Sequence, residues 1–202
     1  MKGGTDSVPP FVALTGGIGA GKSTALAALE RLGAAVLSTD TVVHQLYESP
    51  EVLTAVVERF GAEVAPDGAV DRGRLAQLAF ATDEGRAWLE RLLWPLVRAR
   101  VAAWREQASC GEPAPRALVV EVPLLFEAGQ DKAYDATIAI TVDEDVRRAR
   151  AAARGHQAVD QRAARQLSQE EKASRATYVV ANDGDEHELE RKLSSVLVML
   201  DR

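Results

Sequence analysis

The stretch FVALTGGIGAGKSTALAAL, from Phe11 to Leu29, sets a glycine-rich loop between an apolar run and a helical pattern. Upstream, Val8 to Thr15 is short, apolar and partly β-branched, which suits a buried strand. Downstream, Ser23 to Gly33 carries Leu26, Leu29 and Leu32 at helical spacing, with Gly33 in a stop position. Ala34 to Asp40 then reads as a second strand ending in polar residues. Strand, glycine loop, helix and strand make a βαβ unit, which implies a parallel sheet and a right-handed crossover.

Gly16 to Ser23 matches the pattern G-x-x-x-x-G-K-[ST], between a strand and a helix as that pattern requires. Glycines at 16, 17, 19 and 21 let successive N–H groups turn inward as an anion-binding concavity, and the following helix puts its positive end under the same site. Lys22 supplies a charge to the β- and γ-phosphates, and the Ser23 hydroxyl a ligand for Mg²⁺. A merely tight βα turn needs neither side chain. The loop is expected to hold a nucleoside triphosphate.

The remaining chain is organised around that unit. From Thr41 to about Ala108 apolar residues recur at three-to-four spacing with no strong strand signal, a helical insertion. SCGEPAPR breaks the pattern, and ALVVEVPLLFE, Ala117 to Glu127, reads as the strongest strand, nearly uninterrupted as a central parallel strand should be. Further strands are expected at Ala136 to Val142 and in YVVAN, with Arg-rich helical segments from Asp143 to about Ser174 between them. An amphipathic helix from Glu186 to Leu200 closes the chain. The predicted fold is α/β, a three-layer P-loop nucleotide-binding type. Its core comprises residues 11–40, 117–145 and 176–202. A mobile leader (1–10), a helical acceptor subdomain (41–116) and a small Arg-rich helical lid (146–175) complete it.

Composition narrows the partners. The chain has 202 residues, 47% of them hydrophobic, enough for one main core with an appended subdomain. A formal net charge of −6 argues against nucleic acid or an anionic membrane as the main partner, since both need a broad basic face. Cys110 is the only cysteine, which rules out an intrachain disulfide and fits a reducing cytoplasm. The longest apolar runs are about half of the ~20 residues of a bilayer span. Small-molecule substrates are expected, with no obligate protein partner indicated.

A phosphoryl acceptor must lie in line with the γ-phosphate, with a carboxylate near its attacking oxygen. In a parallel sheet such groups sit at the carboxyl ends of strands beside the loop. Asp40 is in that place, and it could at the same time cap a helix starting near Thr41. Glu121 is the charged residue of the strand expected beside the loop, suited to orienting Mg²⁺ through water. Glu127, at the end of that segment, could face the acceptor. A carboxylate in so apolar a run needs a partner or a task. Arg147, Arg150 and Arg154 share one helix face, with Arg162 and Arg165 continuing beyond. Such charge suits a solvated face, or a hairpin that closes over the triphosphate and stabilises transition-state charge. Arg154, beside Gly155, is the leading candidate for that second role.

Taken together, LTGGIGAGKST, Asp40, LLWPLVR, VPLLFE, RARAAAR and RAARQLSQEEKASRATYVVANDG resemble the dephospho-coenzyme A kinase family, over nearly the whole chain from Val12 to about Leu200. The resemblance implies transfer of the ATP γ-phosphate to the ribose 3′-hydroxyl of dephospho-CoA, the last step of CoA synthesis. It implies that Asp40 accepts the hydroxyl proton. ATP would lie on Gly17, Ile18, Gly19, Ala20, Gly21, Lys22, Ser23, Thr24 and Arg150, with Asn182 near the adenine and Arg154 acting from the lid. The helical insertion then corresponds to the acceptor-binding domain. The chain departs from the family pattern at Ser38-Thr39-Asp40, where Asp-Ala-Asp is usual, at Trp94 in place of a histidine, in EVP for DIP, and in VAN for IDN. Two other functions fit the loop alone: a P-loop kinase for another small hydroxyl acceptor, such as a nucleoside or nucleotide, and a nucleotide-dependent switch. The switch would be expected to carry an NKxD base-reading motif, and the sequence has none.

Overall fold

The computed structural model describes residues 8–146 and 166–201. Two compact units divide the chain, residues 1–38 with 105–202 in one and residues 39–104 in the other.

The first unit is built on five parallel strands, β1 (Phe11–Gly16), β2 (Ala35–Ser38), β3 (Leu118–Glu121), β4 (Ala136–Thr141) and β5 (Tyr178–Ala181), in the order β2-β3-β1-β4-β5. Burial follows that order. Central β1 and β3 are buried at every residue and β4 at all but its last, whereas edge strands β2 and β5 are mostly half-exposed. Strands covered on both faces are apolar almost throughout, which is why these segments read as runs rather than alternations. Val12, Leu14, Val119, Ile138 and Ile140 form one buried cluster with Ala25, Ala28 and Leu29 of α1 (Lys22–Arg31) and Leu189, Leu193, Val196 and Leu197 of α7 (Glu186–Leu200). Each of the Val, Leu and Ile side chains contributes about 1.5–3 kcal/mol on burial. Asp185 caps α7 by accepting from Glu188 N–H.

Two strand boundaries differ from the sequence pattern, and proline explains both. β1 begins at Phe11 rather than Val8 because Pro9 and Pro10 have no N–H to donate to a ladder. The run expected as one strand to Glu127 ends as a strand at Glu121. Val122 N–H still donates to Leu14, then Pro123 starts a series of turns closed by Ala128 N–H to Leu124 O and Gln130 N–H to Leu125 O. Leu125 and Phe126 remain buried, so apolarity here reports packing and not strand.

Residues grouped with the Arg-rich segment by sequence include α6 (Gln169–Arg175), which packs against β4 and β1. Its first turn is closed by a capping box between Ser168 and Glu171.

The second unit is all helical: α2 (Thr39–Tyr47), α3 (Pro50–Phe60), α4 (Arg72–Ala79) and most of α5 (Asp83–Ser109). Ser49 caps α3 with Pro50 in its first turn, and Asp71 caps α4 by accepting from Gly73 and Arg74 N–H. Val42, Leu46, Val52, Val56, Val64, Leu75, Ala79, Leu89 and Leu93 are its buried hydrophobic residues, and Phe60 meets Trp88 edge to face. Trp94, on α5, is exposed. The unit boundaries, after Ser38 and after Trp104, differ from the 41–116 drawn from periodicity, because α5 continues unbroken from one unit into the other.

Candidate active site

The phosphate loop joins the centre of the sheet to α1, and its glycines serve different needs. Gly16 pairs with Ile140, and a Cβ there would stand 2.5 Å from the Ile140 carbonyl oxygen. Close approach of two strands, not anion binding, requires glycine at that position. Gly19 and Gly21 have φ of 81° and 88°, the left-handed region that turns peptide N–H groups inward before the helix. Lys22 and Ser23 occupy the first turn of α1, and Lys22 Nζ donates to the Gly17 carbonyl at 3.1 Å. Ser23 is exposed there.

Side chains from distant parts of the chain brace this loop. Asn182, just beyond β5 and buried, donates from Nδ2 to the Ala20 carbonyl at 2.8 Å, while its N–H donates to Thr141. Gln169 grips the end of β4, accepting from Val142 N–H and donating to Val142 O, each at 3.0 Å. Its Cγ is 3.5 Å from where a Cβ on Gly17 would lie. The Pro123 carbonyl accepts from Lys172 Nζ at 2.7 Å and from the Thr15 hydroxyl at 3.4 Å. The turns after β3 are thereby fastened to the residue that precedes the loop.

Glu121 closes β3, buried, with Leu14 of β1 and Ser38 of β2 as its register neighbours. A hydroxyl at Ser23 and a carboxylate at Glu121 are hard oxygen donors of the kind Mg²⁺ takes beside phosphate. No group of three or more His, Cys, Asp or Glu side chains able to hold a metal exists among the described residues. That donor set suits a cation bound largely through phosphate oxygens and not in a protein cage.

Glu127 lies in the turns after β3. Its Oε1 meets Lys172 Nζ at 2.8 Å and accepts from Leu167 N–H at 2.8 Å. Lys172 is 1% exposed. Glu127 Oε2 is buried with no hydrogen-bond partner among the described residues. The partner that a carboxylate in this run requires is therefore Lys172, a residue the charge pattern did not single out. The only sequence signal for it was a lysine three residues into a short helix whose other charges face water.

Asp40 stands in the first turn of α2, exposed, two residues along the chain from the end of β2. Because α2 already starts at Thr39, Asp40 is neither the last residue of the strand nor an N-cap; at this position it complements the helix dipole. Arg147, Arg150, Arg154, Arg162 and Arg165 lie outside the described residues.

A glycine-rich phosphate loop between the central strand of a five-stranded parallel sheet and the first helix defines a P-loop α/β kinase fold. Shikimate kinase from Bacteroides thetaiotaomicron shares that fold, with a TM-score of 0.51 and 16% identity over 96% of this chain and 99% of its own. Within the class, the sequence matches the dephospho-CoA kinase family over residues 10–188, and the chain belongs to that family. Dephospho-CoA kinase of Deinococcus radiodurans is 39% identical over 197 residues, covering 96% of this chain and 93% of that protein. The Symbiobacterium thermophilum enzyme of the same name is 38% identical over 179 residues, covering 86% and 74%. A crystal structure from Thermus thermophilus superposes with a TM-score of 0.79 at 32% identity, covering 96% of this chain and 99% of that one. No described helix is long and apolar enough to cross a membrane.

Proposed function

We propose that this protein is an ATP-dependent kinase that phosphorylates the ribose 3′-hydroxyl of dephospho-CoA, giving CoA and ADP in the last step of CoA synthesis. The carrying observation is the loop Gly17–Thr24, set on the central strand and braced by Asn182, in a chain of the dephospho-CoA kinase family. Loop N–H groups and Lys22 hold the triphosphate, and α1 adds the positive end of its dipole. Mg²⁺, when bound, neutralises charge between the phosphates; Ser23 would hold it directly and Glu121 through water. Asp40 accepts the proton of the attacking hydroxyl, and the helical unit that carries Asp40 binds the acceptor. Glu127, with Oε1 engaged by Lys172 and Oε2 without a hydrogen-bond partner among the described residues, faces the acceptor. Arg150 binds the triphosphate and Arg154 stabilises transition-state charge, while Asn182 fixes the adenine end. The protein works in the cytoplasm, where ATP and dephospho-CoA are its small-molecule partners.

The test couples ADP release to dephospho-CoA for wild type and Asp40→Asn. Turnover by wild type and a loss of at least about 10²-fold in the variant, with ATP binding retained, are expected for removal of a general base. A fully active Asp40→Asn protein would remove Asp40 from the mechanism, and ATP binding without turnover of dephospho-CoA would overturn the function.

A further inference from the structure

Helix α6 packs against β1 and β4 and holds the chain just beyond the carboxyl ends of both strands that flank β1. Beyond β4, the Gln169 side-chain amide takes both backbone groups of Val142, accepting from its N–H and donating to its carbonyl, each at 3.0 Å. Beyond β3, Lys172 Nζ donates to the Pro123 carbonyl at 2.7 Å, and Arg175 lies over the Phe126 ring, 5.4 Å from its centroid. Lys172 Nζ and the Leu167 N–H meet at Glu127 Oε1 in the same turns. One helix of 7 residues thus spans the two strands between which the phosphate loop leaves the sheet.

The loop starts between those fixed points. Buried Thr15 donates its hydroxyl to the same Pro123 carbonyl at 3.4 Å, and Gly16 stands too close to the Ile140 carbonyl to carry a Cβ. Gln169 Cγ is 3.5 Å from where a Cβ on Gly17 would lie, so its side chain packs on the loop residue whose carbonyl accepts from Lys22. Stability alone is a poor reason for an ion pair at Lys172, which is 1% exposed. Burial strips both ions of water, and an apolar pair of similar volume is often as stable or more so. What the charged pair adds is direction: two acceptors, at 2.7 and 2.8 Å, fix where the ammonium stands and therefore where the Pro123 carbonyl stands.

We infer that α6 is a clamp that pre-forms the phosphate loop for ATP, with Lys172 and Gln169 as its positioning residues. They act through the backbone of Pro123, Val142 and Gly17 and do not touch the nucleotide. A loop already held in its phosphate-binding conformation binds without an ordering cost, and loosening the clamp adds that cost to each ATP bound. The inference rests on the proposed binding of ATP by this loop and is independent of the acceptor.

The test is calorimetric titration of the full chain with Mg²⁺ and ATP, with no acceptor present, alongside urea unfolding to establish that each variant is folded under the titration conditions. Gln169→Ala and Lys172→Met are each expected to raise Kd for ATP about tenfold or more. Lys172→Met/Glu127→Gln separates positioning from stability. It recovers stability because neither charge is left buried alone, yet the Pro123 carbonyl still lacks its donor, so Kd stays raised. The same double variant serves if Lys172→Met does not fold. A Kd within about twofold of wild type in Gln169→Ala or in the double variant, or affinity that returns in step with stability, would overturn the clamp. Because the titration contains no acceptor, a wild type that fails to turn over dephospho-CoA would defeat the proposed function while the ATP titration still decides the clamp.

Discussion

Replacing Lys172 by Met removes one buried charge while nearly conserving volume, so the consequence is electrostatic rather than a cavity. In the native protein Lys172 Nζ, on a residue 1% exposed, joins Glu127 Oε1 at 2.8 Å and the Pro123 carbonyl at 2.7 Å. Without it Glu127 keeps the Leu167 N–H at 2.8 Å, while its Oε2 already lacks a hydrogen-bond partner among the described residues. Removing one partner of a buried pair costs about 3–5 kcal/mol, because the survivor is left charged and desolvated. The Glu127 side chain retains 14% exposure, which places the loss near the lower end, about 3 kcal/mol. For a chain of this length that corresponds to a fall in Tm of about 6–12 °C. Urea unfolding of wild type, Lys172→Met and Lys172→Met/Glu127→Gln reads the loss from the midpoint at constant slope. The double variant should recover at least half of it, since neither charge then remains buried. A single variant within about 1 kcal/mol of wild type, or a double variant as unstable as the single, would refute the reasoning.

Gly16→Ala forces a Cβ to within 2.5 Å of the Ile140 carbonyl, and separating two paired central strands should cost about 1–3 kcal/mol, measurable by the same unfolding assay. Asn182→Ala breaks the buried 2.8 Å bond to Ala20; KM for ATP should rise while KM for dephospho-CoA stays, and stability should fall by about 1–3 kcal/mol. Tyr134 stacks on Phe11 at 4.6 Å, and burial pushes its phenol up from 10.0 to about 12. Between those values the unfolded chain has lost a proton that the folded one keeps, so Tyr134 makes stability fall as pH rises from 10.0 to about 12. Tyr134→Phe should flatten that part of the alkaline stability profile, and an unchanged slope would contradict the assignment.

Legibility in the sequence tracked how local each feature is. The closing helix Glu186–Leu200 has the bounds its periodicity implied, since amphipathic spacing and the Asp185 cap both lie within the segment. Glu127 was visible as a carboxylate needing a partner, but nothing near it in the chain pointed to Lys172. Asp40 was placed at a strand end, yet α2 begins at Thr39 directly after β2 with no intervening loop for the pattern to mark. Lys172 and Gln169 read as part of a charged segment, because exposure of a short helix depends on what it packs against rather than on its own composition.

The phosphate-loop pattern of Gly16–Ser23 was legible from sequence alone. A strand, a run of glycines and a helix start act through the conformations of adjacent residues, and those are set by local sterics. The tertiary structure decided which residues from separate segments meet within each unit. Strand order puts β3 between β1 and β2, and so sets Glu121 beside Leu14 and Ser38. Long-range packing likewise joins Asn182 to Ala20, Lys172 to Glu127 and Arg72 to His44. Such pairings depend on where separate elements meet in space, a property that spacing along one segment does not carry.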